Sequence, residues 1–255
     1  MQEATSASRI ALAPMFAASL SPQSSWADLV DGDAVPQDEG TFGQGASGHG
    51  TAVAGLALLV APGVKLMPVR VLDAGGLGDA SAVAGGIVWA ADHGADVINI
   101  SLGSDQLVEA VTQAVAYANS LGAVVVAAAG NAGREGLDFP AAQFGGSDLN
   151  LAVGSHGALG LKSAFSQYGG LSLMAPGEGL MAPAPQSRVA AWSGTSMAAP
   201  VAAGAAALAL AQGRTPQAAV SRLQATARNA DAQNVLYAGK LGAGTLDLNR
   251  LTQPE

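Results

Sequence analysis

The chain has 255 residues, 49% of them hydrophobic and 12% charged, which suits one large α/β domain with an ample core and excludes a disordered chain. Its net charge of −8 and isoelectric point near 4.7 offer no basic surface for nucleic acid or anionic membranes. With no cysteine it has no disulfide, thiolate metal site or thiol nucleophile, and no apolar run reaches membrane-spanning length without a glycine, proline or charge.

Met1–Ser25 gives little pattern, and it lacks the basic start and continuous apolar core of a signal peptide. Trp26–Gly40, WADLVDGDAVPQDEG, reads as an acidic loop. Asp28, Asp31, Asp33 and Asp38 in it read first as solvated carboxylates, with a substitute histidine orienter or a cation ligand as the alternative. SGHGTAVAG, Ser47–Gly55, places His49 between glycines just ahead of an apolar helix, Thr51–Val60. Val64–Leu72 is a strand candidate. A glycine turn follows, then a helix starting near Asp79 or Ser81 and ended by Gly94. Trp89 reads as core, and His93 as a helix-end residue interacting with carbonyls.

Ala95–Ile100 forms the next buried strand, and Ser101-Leu102-Gly103 leave it. Leu107, Val108, Val111 and Val115 recur at helical spacing, which predicts a helix over Asp105–Leu121. Ala123–Ala129 is a strand buried on both faces, ending in Gly130-Asn131 at the sheet's carboxyl edge. This alternation predicts a parallel sheet covered on both faces, with ligands at the strands' carboxyl ends. LNLAVGS from Leu149 reads as another strand, and His156 just beyond it as a surface or structural residue. A Pro/Gly-rich loop, APGEGLMAPAP, leads through RVAAWSGTS into Gly194–Leu210.

Gly194–Leu210, GTSMAAPVAAGAAALAL, reads as a helix of small and apolar residues with Ser196 in its first turn. Unpaired N–H groups and the positive dipole end gather there, a good place to stabilise an oxyanion. Pro200 lies within the first turns, where its missing N–H costs least. Thr215–Ala230 reads as a terminal helix with Thr215 as N-cap and Pro216 at the first position. A serine there reads as a plain N-cap as readily as a nucleophile, and a lone histidine or asparagine at an element's end is usually structural. A histidine, an amide and a serine, each at such an end, are together the parts of nucleophilic acyl transfer.

SGHGTAVAG, INISLG, AAGN, FPA, APG and SGTSMAAP, in this order between Trp26 and Asn249, resemble the subtilisin-like serine peptidases, the subtilases. The resemblance implies a three-layer α/β sandwich with a mostly parallel central sheet covered by helices on both faces. It implies a single peptidase domain over 1–255, with 1–25 poorly matched, and a surface β-hairpin ahead of Ser196. Protein or peptide substrates would be hydrolysed through an acyl-enzyme on Ser196, with His49 as general base and the Asn131 amide as oxyanion donor. Ser101, Leu102 and Gly103 would pair with the substrate backbone, opposite Gly76–Gly78. Ala128, Ala129 and Gly130 would line a roomy, apolar-tolerant specificity pocket. No cofactor, nucleic acid or membrane partner is implied. Structural calcium is common in the family, but no ligand set is assignable here. The family points to a secreted or cell-envelope protein.

Ala52 and Val201 stand where the family often has further histidines, which bears on packing. The larger departure is the catalytic aspartate, which in the family ends the first core strand in an Asp-Ser/Thr-Gly turn. That turn is absent. Either Arg9–Ala13 is the first strand and Pro14 or Met15 stands in the acid's place, or the chain begins after that strand and is N-terminally incomplete. The second account is preferred. The rival function is a catalytically impaired pseudopeptidase acting as a binding or scaffolding protein. An α/β-hydrolase is disfavoured, because no Gly-X-Ser-X-Gly elbow surrounds Ser196 and the histidine precedes it.

Overall fold

The computed structural model describes residues 14–253. In chain order its elements are α1 (Pro14–Ser19), β1 (Ala27–Asp28), α2 (His49–Val60), β2 (Val69–Arg70), α3 (Ala80–Asp92), β3 (Val97–Ile100), α4 (Glu109–Ser120), β4 (Val124–Ala128), β5 (Asn150–His156), β6 (Leu173–Pro176), β7 (Leu180–Ala184), β8 (Arg188–Trp192), α5 (Thr195–Ala211), α6 (Pro216–Thr226) and α7 (Leu248–Thr252). Strands β3, β4, β5 and β6 pair in that order and all in parallel.

Side chains alternate faces along a strand, so an unbroken apolar run needs cover on both sides. In β4, Val124, Val126 and Ala128 pack with α2, α5 and α6. Val125 and Ala127 pack with α3 and α4 on the other face. This is the expected three-layer sandwich. Helix α5 is the centre of one layer, and most of its residues are buried. Its small side chains let neighbours approach closely. A Cβ on Gly204 would lie 2.7 Å from Ala57 O and 2.9 Å from Val60 Cβ, so α2 lies against it backbone to backbone. The hairpin β7–β8 is antiparallel and sits where the resemblance placed one. Pro183 of the hairpin packs on the middle of α2 at Gly55, and Pro185 in its turn on the start of α2 at Gly48.

Some boundaries differ from expectation. The Val64–Leu72 strand contracts to β2 and one bridge, Leu66 to Leu20. It pairs in parallel with β1, Ala27 opposite Val69, and among the described residues no strand joins β2 to β3. Residues 66–72 are only half-buried. The proposed strand Arg9–Ala13 lies outside the described residues, while Pro14 and Met15 open a helix. Helix α4 starts at Glu109 rather than Asp105, because Ser104 exchanges backbone bonds with Phe139 and its hydroxyl accepts from Gln106 N. Helix α6 stops at Thr226, because Arg228 turns away to bridge Thr245. As expected, Thr215 caps it, accepting from Ala218 N.

Asp28 corrects the reading of solvated carboxylates. It is 1% exposed and bonded to Arg70 at 2.8 Å. Arg70 also holds Asp31 at 2.7 Å and Glu39 at 2.9 Å, tying the acidic segment to β2. Burial works against the guanidinium charge, but the three carboxylates outweigh it and raise its pKa. Trp89 is half-buried and donates to Ser25 O, and His93 stacks on it with Nδ1 against Trp89 O. His156 is the last residue of β5, its Nδ1 bonded to Gly157 O, which fits structural duty.

Candidate active site

Helix α5 begins at a glycine. Gly194 has φ 151°, a backbone conformation that residues with a side chain rarely adopt, so the turn that presents Ser196 favours glycine. Thr195, fully buried, locks this turn to the end of β4. Its Oγ1 accepts from Gly130 N at 3.2 Å and donates to Asn131 Oδ1 at 3.0 Å. Its backbone N–H donates to the same oxygen at 2.8 Å. Two donors therefore occupy the Asn131 oxygen, and its Nδ2 is left without a partner among the described residues. Ser196 N is likewise unbonded, as expected of a helix's first turn. A carbon placed as Cβ on Gly194 would lie 3.7 Å from each of these two nitrogens. Two free N–H donors thus border one point beside Ser196, at the positive end of a 17-residue helix.

Pro200 is the sixth residue of α5, not in its first turn. Its missing N–H is the one that would have bonded Ser196 O, four residues back. Ser101 fills that place, its hydroxyl donating to Ser196 O at 2.8 Å. Asn99 Nδ2 donates in turn to Ser101 Oγ at 2.9 Å. The end of β3 is thereby tied to Ser196 at the start of α5. The expectation for Ser101 concerned its backbone; its side chain has this separate duty.

His49 is the first residue of α2, following Gly48 at φ +92°. Asp38 holds this helix start: Oδ1 accepts from Gly48 N at 2.7 Å, and Oδ2 from Thr51 N at 3.2 Å and from the Thr51 hydroxyl. The reading of Asp38 as a solvated loop carboxylate is thus also corrected. Burial lowers the His49 pKa, and the Asp38 charge opposes that fall. Among the described residues no group hydrogen-bonds the His49 ring, and none bridges it to Ser196. Its placement comes from α2 lying along α5.

Replacing Asp38 by asparagine keeps an acceptor at the helix start and removes the charge. The His49 pKa should then fall further. The acidic limb of the pH–rate profile for serine acylation should move to lower pH. A limb that stays in place would show that Asp38 does not act on the imidazole.

The remaining predicted residues cluster at the carboxyl edge. Ser101, Leu102 and Gly103 leave β3; buried Ala128, Ala129 and Gly130 end β4. The turn containing Gly76–Gly78 adjoins the loop before His49, through Ala46 N donating to Ala74 O. Sequence reasoning missed Thr195, Gln167 and Asp138, and gave Asp38 a part at the histidine only as an alternative. Thr195 lies within a quoted motif and Asp138 adjoins another, but nothing in the residue string marks which side chains turn inward. A shallow depression bordered by Phe144, Asp148, Leu171 and Gln224 lies elsewhere and holds none of the motif side chains.

A serine and an amide donor at the carboxyl edge of a doubly covered parallel sheet, with a histidine opening the helix beside them, define a hydrolase of the serine acyl-transfer class. The particular family follows from comparison. The sequence profile of the subtilase family matches residues 11–244, and the chain belongs to that family. It is 40% identical to thermitase of Thermoactinomyces vulgaris over 198 residues, covering 74% of this chain and 67% of that protein. It is 40% identical to subtilisin DY of Bacillus licheniformis over 219 residues, covering 80% and 76%. A crystal structure of a cold adapted subtilisin-like serine proteinase superposes with a TM-score of 0.73 at 30% identity, covering 91% of this chain and 81% of that one. The chain is a serine endopeptidase of the subtilisin type, acting on proteins or peptides.

Proposed function

We propose that Ser196 is the nucleophile, that His49 takes its proton and returns it to the leaving amine, and that Asn131 Nδ2 with Ser196 N receives the oxyanion. The observation that carries this assignment is the double occupation of Asn131 Oδ1 by Thr195, which leaves the amide's donor end free beside Ser196 N. Substrate backbone lies along Ser101, Leu102 and Gly103, with Gly76–Gly78 opposite and Ala129 and Gly130 walling the adjoining recess. The water that hydrolyses the acyl-enzyme is activated by the same imidazole. This chemistry uses no cofactor, and no calcium ligand set is assigned. Among the described residues the ring has no hydrogen-bonded carboxylate, and Asp38 is the charge that biases it. In subtilisin, loss of the acid alone lowers turnover by about 3 × 10⁴ while leaving it above background.

One domain spans 1–255 in this reading. The acidic net charge argues against nucleic acid and anionic membrane partners. Among the described residues no helix is long and apolar enough to cross a membrane. A secreted or cell-envelope location rests on the family resemblance.

A fluorophosphonate probe tests the assignment. Wild-type protein should be labelled at Ser196, and Ser196→Ala should not. His49→Ala should be labelled far more slowly. Equal labelling of wild type and Ser196→Ala would remove the nucleophile from this position.

A further inference from the structure

At the carboxyl edge residues 138–139 bridge the segments that leave β3 and β4. Asp138 N donates to Ala129 O at 3.0 Å. Phe139 N donates to Ser104 O at 2.8 Å, and Ser104 N to Phe139 O at 3.1 Å. The recess between the two segments is therefore closed at its base by Asp138. Both walls present glycine to it. A Cβ on Gly130 would lie 2.2 Å from Gln167 Oε1 and 2.4 Å from Asp138 Oδ2. One on Gly103 would lie 3.2 Å from Asp138 Cβ and 3.9 Å from Oδ2. Gly130 N is bonded to Thr195 Oγ1 and Asn131 follows it directly, so the recess lies beside the nucleophile's turn.

The carboxylate is built into place. Its Oδ1 accepts from Gln167 Nε2 at 3.1 Å and from Arg134 at 2.9 Å. Gln167 is fully buried and also bonds Gly136 O at 2.8 Å and Ala132 N at 3.3 Å, so it cannot swing away. Oδ2, the oxygen that faces both glycines, has no partner among the described residues. Arg134 is half-exposed, and an exposed ion pair of this kind holds weakly. An incoming cation can therefore share the carboxylate or displace Arg134. A walled recess with a fixed anion at its base favours a long side chain ending in positive charge.

We propose that Asp138 is the specificity-determining residue of this peptidase, selecting lysine or arginine immediately before the scissile bond. The recess expected from its small wall residues to be apolar-tolerant is, at its base, an anion site. The proposal rests on the reading of Ser196 as nucleophile.

Two measurements separate the inference from that reading. The first compares kcat/KM on two peptide anilides that differ only in a terminal Lys or Phe. Wild type should favour Lys, and Asp138→Asn should lower the Lys-to-Phe ratio at least about tenfold, as loss of one charge-assisted contact predicts. Arg134→Ala should raise the ratio or leave it. The second uses Ser196→Ala, which needs no turnover, and measures binding of peptides ending in Lys or Phe, with and without Asp138→Asn. Selective binding of the Lys peptide that requires Asp138, without hydrolysis by wild type, supports the inference and counts against the nucleophile. Hydrolysis or binding with no Lys preference, or a preference that survives both Asp138→Asn and Asp138→Ser in variants that melt as wild type, overturns it. So does the failure of both peptides to bind.

Discussion

Exchange of Asn131 for alanine should slow fluorophosphonate acylation of Ser196 about 10²- to 10³-fold, the loss seen on removing one oxyanion donor in subtilisin. The phosphonyl oxygen develops the same charge as a scissile carbonyl, so the rate reads the oxyanion site without needing full turnover. The size of the effect comes from preorganisation. Asn131 cannot rotate its amide, because Thr195 N and Oγ1 both hold its oxygen. Thr195→Val removes the hydroxyl and keeps the backbone donor. It should therefore cost less than Asn131→Ala, and the two losses should not add, because both act on one amide. An Asn131→Ala rate equal to wild type would mean that this amide does not face the reacting phosphorus.

Arg70→Met should destabilise the fold by about 3–5 kcal/mol, because it leaves a buried carboxylate without its counter-charge. The Asp28 side chain is fully buried and that of Arg70 is 10% exposed. Asp28 also accepts from Val30 N at 2.9 Å and Asp31 N at 3.0 Å, so it cannot turn out to water without breaking its own turn. Asp31 and Glu39 lose the same partner, but they are partly exposed and recover hydration. Adding Asp28→Asn to Arg70→Met should restore much of the loss, since the amide oxygen still serves both N–H groups and no buried charge remains. Urea denaturation checks both. A single replacement costing no more than a surface substitution would show that the acidic segment does not depend on Arg70.

The sheet and helix layers were legible because burial on both faces leaves a signature in single residues. Val124–Ala128 is an unbroken apolar run, and the structure covers it on each side. The glycine ends of α2 and α5 were legible for a related reason: a sharp turn before a helix admits few residues. Strand β2 was over-read, because hydrophobic pattern reports a tendency to extend, whereas a strand exists only where a partner supplies the bonds. Asp28 and Asp38 were misread for the opposite reason. Four acids in a loop look alike in a string, and only Arg70, 42 residues away, and the α2 start, 10 to 13 residues away, tell two of them from the rest.

By itself the sequence determined the family and the layer order, and it supplied the serine, the imidazole and the amide of the proposed site, because each is carried by a local pattern of turn, helix start or buried strand. Tertiary structure alone decided that Asn131 presents its donor end, that Ser101 replaces the bond Pro200 cannot make, and that Asp138 closes the recess between two glycines. These depend on which groups from distant segments meet, and in a hydrogen bond or an ion pair the distance in space sets the energy while the distance along the chain does not.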